Sequence, residues 1–167
     1  MERVTASSMQ LSDKWTLWAH LPHDTDWSLK SYKNIMTISQ KSEAASLLKY
    51  LPEKMVQNCM LFMMRDNISP IWEDKLNREG GCFSYKVSNN NVYSVWKKVC
   101  YLLLGSSITK NKSIMKDING ITISPKKSFC ILKIWLSNCT HQNPKSIASV
   151  KGLNSHGCIF KKHRPQF

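Results

Sequence analysis

The stretch NVYSVWKKVCYLLLG, residues 91 to 105, leaves this chain the least freedom in how it folds. Val92, Val95, Trp96, Val99, Leu102 and Leu103 recur at spacings of three and four, which puts them on one stripe of an α-helix. Asn91 stands where it can cap the first turn, and Gly105 where it can close the last. Such a stripe must be covered by another layer of structure. The rest of the chain supplies strands for that layer. DKWTLWAHL (13 to 21) alternates Trp15, Leu17, Ala19 and Leu21 on one face, and KNIMTIS (33 to 39) is a weaker second strand. CMLFMMR and GCFSYKV follow, with Gly80-Gly81 as the hinge into the latter. GITISP and FCILKIWLS form a hairpin around Pro125-Lys126-Lys127-Ser128, and HGCIFKK is a last strand. SEAASLLKYL, with Ser42 as cap and Pro52 as terminator, spaces Ala44, Ala45, Leu47, Leu48 and Leu51 like one helical face, and PKSIASVKGL reads as a third, short helix. The expected class is α+β, an antiparallel sheet with helices packed on one face.

The 167 residues read as a single domain, with residues 1–12 as a flexible tail and Ser88-Asn89-Asn90-Asn91 as a turn. No apolar run approaches a membrane span or a signal peptide, so a soluble protein of the cytoplasm, or also the nucleus, is expected. Six widely spaced cysteines without a CxxC read as free thiols. Cys139-Thr140-His141 and His156-Gly157-Cys158 lack the usual spacing of structural zinc ligands, and no metal or cofactor is expected.

Charge divides the chain. Residues 1 to 79 hold 10 basic and 10 acidic side chains, whereas the remainder holds 14 basic ones against Asp117 alone. A polyanionic partner met mainly by the second half is one reading, and a solvated lysine-rich surface the other.

Against that background, NISPIWEDKLNREGG sets two scarce acids directly behind an indole, as Trp72-Glu73-Asp74. An aromatic face attracts a cation, and two parallel rings sandwich a planar one. A neighbouring carboxylate accepts paired N–H bonds from a planar edge. A base that is cationic and offers such an edge is 7-methylguanine, whose attached phosphates would need lysine or arginine.

The order of DKWTLW, Trp27, ISPIWEDKLNREGG, the helix with Trp96 ending LLLGSSI, and ILKIW ending at Trp135 resembles the eukaryotic translation initiation factor 4E family of mRNA cap-binding proteins. The resemblance spans about residues 13 to 139, and residues 140–167 match poorly. It implies a curved sheet with helices on its convex face and a non-enzymatic role, binding the 7-methylguanosine triphosphate end of capped mRNA. It also implies that Trp27 and Trp72 stack the base, Glu73 takes the guanine edge, Trp135 lies against the methyl group and Lys126 meets phosphate. Tyr32, five residues beyond Trp27, is the alternative stacking aromatic, and Trp15, Trp18 and Trp96 are left to the core.

Several positions depart from the family pattern. Where relatives that recruit the scaffold initiation factor 4G present a Trp on the first helix, this chain has Glu43-Ala44-Ala45-Ser46, and an acidic partner-contacting position is Lys98. The usual scaffold contact is therefore not expected. Cys82 and Ile131 stand at two basic phosphate-binding positions, which implies a modest affinity. Two other classes of function remain: a general single-stranded RNA-binding module, and an enzyme using Cys139 with His141.

Overall fold

The computed structural model describes residues 9–167, and the first eight residues of the expected tail lie outside it. Seven strands form one sheet in the order β2-β1-β3-β5-β6-β4-β7. They are β1 (Gln10–His20), β2 (Tyr32–Gln40), β3 (Met60–Arg65), β4 (Gly81–Ser88), β5 (Ile118–Pro125), β6 (Phe129–Leu136) and β7 (Ile159–Lys162). Every pairing is antiparallel. The α-helices are α1 (Lys41–Tyr50), α2 (Glu53–Asn58), α3 (Val92–Leu104) and α4 (Lys112–Asp117).

Parity along each strand decides which side of the sheet a residue serves. In β1, Trp15, Leu17 and Ala19 are buried in the main core with Phe83, Tyr85 and Val87 of β4. The α3 stripe closes over them with Val92, Val95, Trp96, Val99, Cys100 and Leu103. The opposite face carries a smaller cluster, in which Phe62, Met64, Ile68, Cys82 and Trp135 are buried and Trp18, Tyr32, Met60 and Trp72 half-buried. Trp18, expected in the core with Trp15, is one residue out of phase with it and so belongs to this second cluster. Leu21, expected to continue the apolar face of β1, lies past the strand end and is 48% exposed.

The helices depart from expectation at their ends. α1 begins at Lys41, so Ser42 falls inside the first turn and caps nothing; Glu43 reaches back instead, accepting the Ser39 N–H at 3.4 Å. Asn91 is the N-cap of α3 but already has helical dihedrals, and its side chain makes no capping bond. At the other end Gly105 donates to the Tyr101 carbonyl at 3.0 Å, while the left-handed turn falls on Ser106 (φ 54°). PKSIASVKGL is not an α-helix. A single 3-10 turn, Pro144–Ser146, is capped by Asn143, after which the Ala148 N–H donates to the Ile108 carbonyl at 2.8 Å rather than continuing the helix. α2 and α4 were not foreseen. Pro52 starts α2 as its N-cap instead of only ending α1, and the Asn111 side chain caps α4 by accepting the Ser113 and Ile114 N–H groups.

Candidate functional site

The segment between β3 and β4 carries the Trp-Glu-Asp triplet, and its two acids serve different ends. Asp74 folds the segment. One carboxylate oxygen accepts the Ser69 N–H at 2.8 Å and the other the Leu76 N–H at 2.9 Å. Asn77, fully buried, spans the same loop by donating to the carbonyls of Ser69 and Ile71, both at 2.9 Å. Its side-chain oxygen accepts from Asn119 at 2.9 Å, which ties the loop to β5. With the Asp74 carboxylate and the Asn77 amide paired in this way, the loop has one defined shape. It ends at Gly80 and Gly81, where the sheet leaves no room for side chains. A Cβ on Gly80 would run into the Leu136 carbonyl, and one on Gly81 would come within 2.6 Å of the Lys161 carbonyl oxygen.

Held this way, Trp72 and Glu73 turn toward a hollow of about 580 Å³ on the face of the sheet away from the main core. Trp27, Tyr32, Phe62, Trp72, Glu73, Thr122, Ser124, Lys133 and Trp135 are among its lining residues. Trp135 is its floor: the indole is 4% exposed, donates to the Thr122 hydroxyl at 3.4 Å and meets Phe62 edge-on. At the mouth, Trp27 is 55% exposed and lies flat on His20, with centroids 4.0 Å apart and planes 3° from parallel. His20 Nε2 donates in turn to the Asp26 carbonyl at 2.8 Å. Asp26 closes the loop by accepting the Ser28 N–H, and that bond first, then the Ser28 side chain, holds its carboxyl below the usual carboxylate range, with a smaller contribution from nearby Lys30 and His20.

Tyr32 opposes His20 across the β1–β2 pair and stands edge-on to both His20 and Phe62. Burial, and secondarily the negative charge of Glu73, pushes its phenol up to about 12. Trp27 and Tyr32 thus both line the hollow in different attitudes, one flat at the mouth and one in the wall.

Four of the five residues expected at the site come together here: Trp27, Trp72, Glu73 and Trp135. Lys126 does not line the hollow; it is exposed in the β5–β6 turn, where its N–H donates to the Phe129 carbonyl at 2.8 Å. The basic side chain that does line it, alone of its kind among the described residues, is Lys133, whose Nζ is 5.8 Å from the Trp72 ring centroid. Lys133 shares the parity of Trp135 and is visible in ILKIW, but two residues from a tryptophan on a strand it reads as a half-exposed charge until the hollow is seen. Ile131 and Cys82 contribute no charge, and Cys82 is buried in the small cluster.

His163 was also missed. It is 6% exposed, lies nearly parallel to Trp72 at 5.5 Å and tilts against Trp135 at 5.0 Å. Its Nδ1 lies 2.6 Å from the Asn77 carbonyl, while Nε2 is buried with no partner among the described residues. Burial first, then the nearby Lys133 charge, lowers its basicity, so the ring is a neutral wedge that backs Trp72.

Elsewhere, all six cysteines are free. Among the described residues no three His, Cys, Asp or Glu side chains gather where they could hold a metal, and no helix is long and apolar enough to cross a membrane. On the helix face, Ala44 is buried, Ala45 exposed, and the exposed Lys98 ammonium lies 5.2 Å from the Tyr101 ring.

The sequence model of the family described as "Eukaryotic initiation factor 4E" matches residues 10–163. A "Eukaryotic translation initiation factor 4E homolog" of Acanthamoeba polyphaga mimivirus is 28% identical, over 72% of this chain and 52% of its own length. The "Eukaryotic translation initiation factor 4E" of Eremothecium gossypii is also 28% identical, over 84% of this chain and 68% of its own. This chain thus spans about half the length of the viral relative. Among solved structures, a schistosome eIF4E complexed with m7GpppG and 4E-BP superposes with a TM-score of 0.71 at 22% identity, covering 80% of this chain and 74% of that one. Ascaris suum eIF4E-3 with m7G cap gives a TM-score of 0.69 at 18% identity, covering 79% and 75%.

Proposed function

The chain belongs to the eukaryotic initiation factor 4E family, and from that premise we propose that it binds the 7-methylguanosine cap of mRNA, in translation initiation or its repression. The observation that carries this reading is the convergence of Trp27, Trp72, Glu73 and Trp135 on one hollow whose sole basic lining group among the described residues is Lys133. The methylated purine is cationic and flat, so it enters between Trp72 and the mouth aromatic, with attraction to each ring face. Trp27 takes that second position because its ring is open at the mouth, whereas Tyr32 is wedged edge-on between His20 and Phe62. Glu73 accepts the N–H groups of the guanine edge, a charge-assisted pair. Trp135 lies beneath, toward the methyl group. The phosphates leave past Lys133 and run along Thr122 and Ser124 toward Lys126, which continues the same strand parity at the rim.

This chemistry is binding without turnover. It needs no nucleophile, and Cys139, the sulfur considered for one, points its thiol at the Glu79 carbonyl at 3.7 Å. A place in the cytoplasm or nucleus follows from the ligand. On the helix face, Ala44, Ala45 and Lys98 replace the large and acidic groups that the usual scaffold would meet, so a scaffold or repressor docking there makes different contacts.

The test is retention on 7-methyl-GTP resin. We expect elution by 7-methyl-GTP and not by GTP, and loss of retention in Glu73→Ala. Equal elution by GTP would replace this reading with a general single-strand RNA binder.

A further inference from the structure

We propose that residues 164–167 form an autoinhibitory strap that occupies Glu73 in the free protein and must be displaced when ligand enters. The proposal rests on the reading of Glu73 as the carboxylate that grips the guanine edge. The segment has a firm root. At His163 the backbone N–H donates to the Gly80 carbonyl at 2.9 Å, the ring lies against Trp72 and Trp135, and Nδ1 meets the Asn77 carbonyl. Beyond that pin the character changes. Arg164, Gln166 and Phe167 are exposed, Phe167 at 80%, and the proline at 165 fixes the backbone direction. Among the described residues one hydrogen bond holds the segment over the hollow: the Gln166 backbone N–H donates to Glu73 Oε1 at 3.2 Å. Both Gln166 and Phe167 line the hollow that Trp72 and Glu73 face.

The strap offers Glu73 the same kind of donor that a guanine edge would offer. Gln166 takes one acceptor site on an oxygen that a base gripping both carboxylate oxygens would use, and Gln166 and Phe167 stand in the hollow that the base must enter, so strap and base compete for the space as well as for the carboxylate. Binding then proceeds from the fraction of molecules whose strap is open, and apparent affinity is reduced by that fraction. The root does not move, because His163 also backs Trp72. A hydrogen bond to an ionised group is strong enough to bias such a segment, and exposure keeps the bias small enough to be reversed.

The experiment is a tryptophan-fluorescence titration with 7-methyl-GTP on three forms: the full chain, the chain ending at His163, and Gln166→Pro, which deletes the single N–H donor. We expect both altered forms to bind about three- to tenfold more tightly than the full chain. If the full chain binds and both altered forms merely match it, or bind more weakly, the strap is overturned while the cap reading stands. If none of the three binds 7-methyl-GTP, the cap reading falls and the strap with it.

Discussion

The two faces of the sheet use the same kinds of side chain and close them differently. On the helix side, Trp15 and Trp96 are fully buried, and the α3 stripe seals them with aliphatic residues. On the other side, Trp18, Trp72 and Trp135 are covered by loops and by the segment after β7, so the cover is thin and a hollow remains. Loops cannot fill space as a helix does, because their own backbone groups need partners. Asp74, Asn77 and Asn119 meet that need, and the indole and carboxylate next to them, Trp72 and Glu73, are left to face the hollow. Aromatic content alone therefore does not mark a binding site; what covers the aromatics does.

Exchanging one indole on each face gives the widest separation. Trp96→Ala empties a fully buried site and should cost about 3–5 kcal/mol of stability, read as a lowered denaturant midpoint. Trp72→Ala, half-buried over the hollow, should abolish retention on 7-methyl-GTP resin while shifting that midpoint by less than half as much. Equal destabilisation by the two would make Trp72 a core residue and end the distinction. Asn77→Ala lies between them. It removes three hydrogen bonds from a fully buried hub and leaves carbonyls unpaired, a cost of about 1–3 kcal/mol. Because the same hub shapes the Trp72 loop, cap binding should weaken along with stability.

Much of this division could be read from the sequence, and the parts that could not have physical causes. The α3 stripe and the alternation of β1 gave the sealed face, because periodicity reports which residues share a side. Ser42 and PKSIASVKGL misled, because propensity and spacing say nothing of where a backbone N–H finds its partner; that of Ala148 finds it on Ile108. Asn111 before α4 carries the same cap signal that was read at Asn91, and only Asn111 uses it. At the site, the Trp-Glu-Asp triplet was legible, but the different duties of Glu73 and Asp74 were not. The roles of His163 and Lys133 were hidden for a simpler reason: each gains its meaning from neighbours remote in the chain, His163 from Asn77 and Lys133 from Trp72.

Lys133 gives a smaller effect that belongs to the open face alone. Lys133→Met keeps the aliphatic stem and removes the charge, so 7-methyl-GTP should bind about tenfold or more weakly if a charged hydrogen bond to phosphate is lost. Binding of 7-methylguanosine, which has no phosphate, should hardly change. A parallel loss for both ligands would mean that Lys133 acts on the base or on Trp72 instead.

The smallest effect compares two tyrosines. Tyr85 lies in the sealed core, and burial first, then the Cys158 thiol, pushes its phenol up. Tyr32 lines the hollow, and its phenol is pushed up to about 12 by burial first and then by Glu73. In both, the folded state holds its proton more tightly than the unfolded chain, whose phenol titrates near 10. The associated stability is intact below that value and drains away as pH rises toward 12, because only the unfolded chain releases the proton there. The two residues should part company when Glu73 is replaced by Gln. Removing that negative charge leaves burial as the only cause at Tyr32, so its titration, followed by phenolate absorbance, should move to lower pH. Tyr85 stands across the sheet from Glu73 and should titrate as before. A Tyr32 that ignores the substitution would mean that the Glu73 charge is turned out to solvent, away from the wall of the hollow it is proposed to serve.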